Sequence, residues 1–340
     1  MDALEKNLEK LAELAVRVGL NLEEGQEVIA TAPIEALDFV RLLAEKAYAH
    51  GASLFTVLYG DNLLARKRLA LVPEAYLDKA PAWLYEGMAK AFHEGAARLA
   101  VSGNDPKALE GLPPERVGRA QQAQSRAYKP ALSAITEFVT NWTIVPFAHP
   151  GWAKAVFPDL PEEEAVERLW QAIFQATRVD QEDPVAAWEA HNRALHAKVA
   201  FLNERRFHAL HFQGPGTDLT VGLAEGHLWQ GGATPTKKGR LCNPNLPTEE
   251  VFTAPHRERV EGVVRATRPL ALSGQLVEGI WARFEGGVAV EVGADKGEEV
   301  LKRLLETDEG ARRLGEVALV PADNPIAKTG LVFFDTLFDE

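Results

Sequence analysis

The hydrophobic pattern changes its period close to residue 206, and that change limits what the chain can fold into. Up to that point, short β-branched runs alternate with helical stretches. Residues 27–32 (EVIATA) read as a strand that ends at Pro33. Residues 34–50 follow as a helix with Leu37, Val40, Leu43, Ala44 and Ala47 on one side, closed by Gly51. Residues 53–59 (SLFTVLY) read as a second buried strand, and 98–102 and 142–147 as two more, each preceded by a helical stretch. Such alternation implies right-handed crossovers, so a Rossmann-like, mostly parallel sheet with helices on both faces is expected. Helices over 162–177 and 184–205 follow, the second with Pro184 in its first turn after Asp183. Beyond residue 206 the runs 207–212, 218–222, 260–266, 275–284 and 287–292 alternate with period two and are separated by glycine-rich turns. These are hairpin signals, interrupted by one helix over 296–307. The expected fold class is α/β plus mainly-β. Residues 1–206 form an N-terminal α/β domain, and 207–340 form a largely antiparallel β domain carrying the candidate site.

Charge and composition narrow the function classes. A formal net charge of −12 is repelled by phosphate backbones, which argues against a nucleic-acid partner. No window approaches the roughly 18 consecutive apolar residues of a membrane-spanning helix. Residues 1–19 lack a signal-peptide core and place Leu4, Leu8, Leu11, Leu14, Ala15 and Val18 at helical spacing, as in an amphipathic helix packed on the first domain. A single cysteine, Cys242, excludes an internal disulfide and suits a reducing compartment, so a cytoplasmic protein is expected. Two methionines and one cysteine, amid abundant Arg, Glu, Leu and Ala, point toward a thermophile.

Familiar catalytic patterns are missing: there is no HExxH, no Walker A loop and no GxSxG elbow. Gly214-Pro215-Gly216 lacks the third glycine of a dinucleotide loop and lies between two strand-like runs, so it reads as a hairpin turn. The informative segment is NPNLPTEEVFTAP, residues 243–255. In a strand, Glu249 and Glu250 point to opposite faces, Glu249 with Val251 and Thr253, Glu250 with Phe252. A carboxylate beside a large apolar side chain is costly unless a cation or hydrogen-bond donors accompany it. The same pair also reads as a solvated acidic hairpin tip. Glu249 is a candidate general base or orienting residue, with a surface acid as the alternative. Glu316, in LGEVALVP (314–321), shares a face with Leu314, Ala318 and Val320. Both faces are otherwise apolar, so the strand is expected to be buried on both sides. Glu316 then calls for a metal, an arginine or a raised pKa, unless it is an edge glutamate facing water. The last run, LVFFDTLFDE (331–340), sets Asp335, Asp339 and Glu340 in an apolar segment. Lys237, Lys238 and Arg240 read as a peptide-carboxylate site or a solvated loop. His208, His211 and His256 read as surface or packing residues.

Together NPNLPTEEVFTAP, LGEVALVP and LVFFDTLFDE resemble the signature blocks of the aminopeptidase T/S family of metallopeptidases. GPGTDLTVGL (214–223) and NPIAKTG (324–330) are similar to that family as well. The resemblance implies a dinuclear metal site that activates water to release N-terminal amino acids from short peptides. It implies Glu250 as a ligand of one metal and Glu316 as the glutamate bridging both. Zinc or cobalt are the implied ions, with magnesium a further candidate, and a homodimer is implied as well. Two histidines, a tyrosine and an aspartate complete the family's ligand set C-terminal to the DTLFDE block, so the chain is expected to be truncated relative to the family. The alternative expectation is a non-catalytic peptide-binding or dimerisation fragment on the same fold, inactive for want of those ligands.

Overall fold

The computed structural model describes residues 3–272 and 275–339. Two compact units divide the chain: Met1–Ala190 with Ala233–Thr248, and His191–Gly232 with Glu249–Glu340. In the first unit, helix α1 (Ala3–Leu14) buries Leu11 and Leu14 and runs into a wide turn, Ala15–Leu20. Strands β1 (Glu27–Pro33), β2 (Leu54–Gly60), β3 (Ala97–Ser102) and β4 (Trp142–Pro146) form a parallel sheet in the order β2-β1-β3-β4. All four form within a residue of their expected ends. Strand β1 is covered on both faces. Val28 and Ala30 are wholly buried on one, and Ile29 packs on the other with Met88, Phe92, Ala131 and Ile135 of α4 (Ala82–Glu94) and α5 (Pro114–Thr136).

Helix α2 (Leu37–Ala49) buries Val40, Leu43 and Ala47 of the expected stripe together with Phe39, which meets Phe147 and Trp170, whereas Leu37 is exposed and Ala44 half-buried. Residues 34–36 ahead of it form a 3₁₀ turn, so the regular helix starts three residues later than expected. Helix α3 (Asn62–Leu71) is capped by Asp61, which accepts from Leu63 and Leu64 N–H. Helices α6 (Pro150–Val156) and α7 (Glu162–Ala176) complete the layer.

Helix α8 (Pro184–Arg205) leads into β5 (Ala209–Gly214) and β6 (Thr217–Leu223), joined by the two-residue turn Pro215-Gly216 with Gly216 at φ 72°. The turn explains GPG without a cofactor. In residues 233–248, β7 (Thr234–Pro235) pairs with β8 (Leu241–Cys242), and Asn245 bridges Ile144. Strands β9 (Val251–Thr253) and β10 (Pro255–Arg265) follow. Then come β11 (Leu270–Leu272), β12 (Gln275–Val277), β13 (Trp281–Glu285), β14 (Val288–Gly293), α9 (Glu298–Leu305), β15 (Val317–Leu319) and α10 (Pro325–Lys328). A five-stranded antiparallel sheet, β14-β13-β10-β6-β5, dominates the second unit. The single strand expected over 275–284 is two strands in different sheets, because Gly279 at φ 65° turns the chain between them.

The architecture is therefore α/β followed by mainly antiparallel β. The expected division at residue 206 coincides with the end of α8, whereas packing divides the chain elsewhere. Leu195 and Leu202 of α8 bury against Trp229, Val251, Val260 and Val317, which ties that half of the helix to the β-rich unit. Among the described residues, no helix is long and apolar enough to cross a membrane.

Candidate metal centre

Strand β9 is short but pinned from both edges. On one side it pairs antiparallel with β15, Val251 opposite Leu319 and Thr253 opposite Val317. On the other, Gln230 and Phe252 exchange both backbone hydrogen bonds at 2.9 Å. The segment carrying Gln230 is itself fixed: the Asn203 side chain of α8 brackets Trp229, and Thr253 Oγ1 donates to Leu228 O at 2.9 Å. Gly231 lies so close that a Cβ there would stand 2.7 Å from Glu250 O.

Alternation along this strand sorts the two acids as their spacing predicts. Glu249, Val251 and Thr253 turn inward, each 3 % exposed. Glu250 and Phe252 are half-buried on the other face. The alternative of a solvated acidic tip is thus wrong for Glu249. Its Oε2 stands 3.7 Å from Nε2 of His191, which is itself nearly buried on α8. Of the two roles expected of Glu249, enclosure on the face opposite Glu250 fits the orienting one.

Continuing the β9–β15 register by one residue sets Val320 opposite Glu250 and Glu316 opposite Ala254. Directly opposed residues of an antiparallel pair share a face, so Glu250 and Glu316 occupy the same side of the ladder, near its two ends. The carboxylates sense one another. Burial, and then the neighbouring charge of Glu316, push Glu250 up to about 7. Desolvation also raises Glu316, although the residue as a whole is exposed. The expectation that the strand of Glu316 is buried on both sides fails. Strand β15 spans three residues beside β9; Val317 is buried in the core, Ala318 and Val320 are half-buried, and Glu316 itself is exposed.

Two acids held on one face, each resisting ionisation, suit a divalent cation. They are hard oxygen donors, and a shared positive charge removes both the repulsion and the desolvation cost. Among the described residues, no group of three or more His, Cys, Asp or Glu side chains converges as a metal site, so Glu250 and Glu316 form a partial donor set.

The other expected residues lie apart from chemistry. Lys237 and Arg240 are engaged by Glu137 at 2.6 Å and Glu23 at 2.9 Å, while Lys238 stays exposed. His211 meets Asp218 at 2.8 Å on the surface, and His256 Nδ1 accepts from Glu258 N–H at 3.1 Å. Asp335 accepts from Leu337 N–H, and Asp339 from Phe333 and Asp335 N–H, so both cap turns; Glu340 lies outside the described residues. Sequence reasoning missed His191. No local signal marks it, since its partner lies across a long stretch of chain.

Comparison with known proteins identifies the family. The model of the thermophilic metalloprotease family M29 matches residues 4–340. Aminopeptidase T of Thermus aquaticus is 93 % identical over 340 residues, covering 100 % of this chain and 83 % of that protein. Aminopeptidase T of Thermus thermophilus is 87 % identical with the same coverage. The solved structure of wild-type AmpT from Thermus thermophilus superposes with a TM-score of 0.94 at 85 % identity, over 99 % of this chain and 83 % of that one. With a family match across nearly all of its length and full-length identity of this order, the chain belongs to the thermophilic metalloprotease family M29.

Proposed function

We propose that this chain is a metal-dependent aminopeptidase that releases N-terminal amino acids from short peptides, with Glu250 and Glu316 as ligands of two divalent ions. The observation that carries the reading is the pair of carboxylates on one face of β9–β15, where burial and mutual charge lift Glu250 to about 7. Facing a shared cation, both acids regain their ionised form. Bound there, divalent ions supply Lewis-acid polarisation of a carbonyl and a water that loses its proton near neutral pH. Zinc or cobalt is the proposed metal, with magnesium as a further candidate. Both favoured ions take imidazole as well as carboxylate ligands. The aminopeptidase names of the relatives favour this reading over a non-catalytic peptide-binding fragment. We place the enzyme in the cytoplasm as a homodimer. The free, buried Cys242 supports the first proposal and the family resemblance the second.

Hydrolysis of leucine p-nitroanilide with added Co²⁺ tests the assignment. Glu250→Gln and Glu316→Gln should each lower kcat/KM at least about 100-fold, and EDTA should abolish turnover. Undiminished activity of Glu316→Gln would remove it from the ligand set.

A further inference from the structure

We propose that His191 is a positioning residue for the metal centre: its imidazole holds the Glu249 carboxylate on the buried face of β9 and so fixes the Glu249–Glu250 peptide unit that turns Glu250 outward. This rests on the reading of Glu250 as a metal ligand. The argument starts from geometry. Consecutive strand residues point to opposite faces, so anchoring the side chain of one sets the direction of the next. Glu249 is the anchored one. It is 3 % exposed, and Nε2 of His191 stands 3.7 Å from its Oε2.

Helix α8 is a rigid platform for that imidazole. Leu195 and Leu202, four and eleven residues further along the helix, recur on one stripe with His191 and pack into the same core as Val251 and Val317. The helix therefore reaches both strands of the ladder, and His191 sits at the end of this stripe nearest Glu249. A buried carboxylate is costly without a donor or a positive charge at hand, and the imidazole stands 3.7 Å away as such a partner. Two other supports of β9 act on its backbone. Gln230 bridges Phe252, and Gly231 abuts Glu250 O. Partners that orient a ligand without touching the metal commonly change metal affinity 10–100-fold.

Co²⁺ binding to the protein, followed by equilibrium dialysis and by the visible d–d spectrum, tests the proposal. His191→Ala should weaken Co²⁺ binding about 10-fold and shift the spectrum. His191→Gln, which keeps a side-chain N–H facing Glu249, should recover most of that affinity. Glu249→Gln combined with His191→Ala should cost no more than the larger single effect, because the two act through one contact. Thermal melts in EDTA separate the proposal from general loosening. A melting shift for His191→Ala with unchanged Co²⁺ affinity and spectrum assigns His191 to packing alone and overturns the proposal. Should Glu250→Gln also bind Co²⁺ like the parent chain, the ligand assignment itself has failed. If it loses Co²⁺ while His191→Ala does not, only the positioning role has failed.

Discussion

Gly231→Ala is the sharpest probe of how the site is held. The added Cβ would lie 2.7 Å from Glu250 O, 3.0 Å from Val251 Cγ1 and 3.2 Å from Val251 Cα, where ordinary contact begins at 3.4 Å. Gly231 does not need a left-handed φ, so the conflict is steric. The obstructing atoms are largely backbone and cannot swing away. Either the 228–232 segment or β9 must move by roughly 0.7 Å, the shortfall at the carbonyl oxygen. Overpacking of this kind costs about 1–3 kcal/mol. Loosening the paired hydrogen bonds between Gln230 and Phe252 adds about 1 kcal/mol. Urea denaturation should therefore show a loss of about 2–4 kcal/mol, read as a lower midpoint with an unchanged slope. Misplacing a reacting group by about 1 Å costs on the order of 100-fold, so a shift somewhat smaller than that at Glu250 should lower kcat/KM about 10- to 100-fold. Gly214→Ala is the control: its Cβ meets nothing within 4 Å, and stability should stay within about 0.5 kcal/mol of the parent. A Gly231→Ala protein with the parent's urea midpoint and full activity would refute the claim that this close approach positions Glu250.

Other expectations test the core and the C-terminal turn. Leu219, 5 % exposed in the core of the second unit, should cost about 2–5 kcal/mol on truncation to alanine. Leu63→Ala, at a 68 % exposed position, should change urea stability by less than about 0.5 kcal/mol. Burial raises the Asp335 carboxyl above the ordinary aspartate value of 3.8, so the fold prefers its protonated form. The stability Asp335 contributes is therefore full below 3.8 and is lost as pH rises through the higher folded-state value. Asp335→Asn cannot ionise and can still accept from Leu337 N–H. It should gain on the parent as pH climbs from 3.8 toward neutrality; urea midpoints differing by a constant amount across that range would contradict this.

The four parallel strands are legible in the sequence because each is a short β-branched or apolar run bounded by helix, and local periodicity alone identifies that pattern. Residues 275–284 defeat the same rule. An alternating run says nothing about a single left-handed glycine inside it, and Gly279 sends the two halves to different sheets. The unit boundaries were equally hidden. Helix α8 is continuous by every local criterion, and only the burial of Leu195 and Leu202 reveals where its second half belongs.

The candidate site shows where such reasoning stops and why. Alternation establishes that Glu249 and Glu250 face opposite ways, but it cannot say which face will be covered. That depends on α8, which lies far off in sequence and closes over Val251 and Val317. For the same reason Glu316 was assigned too much burial. The apolar character of its neighbours is real, yet Ala318 and Val320 on its face are only half-buried and Glu316 itself is exposed. The strand thus sorts the two adjacent acids: Glu249 is buried beside His191, and Glu250 is half-buried on the opposite face, the one it shares with Glu316.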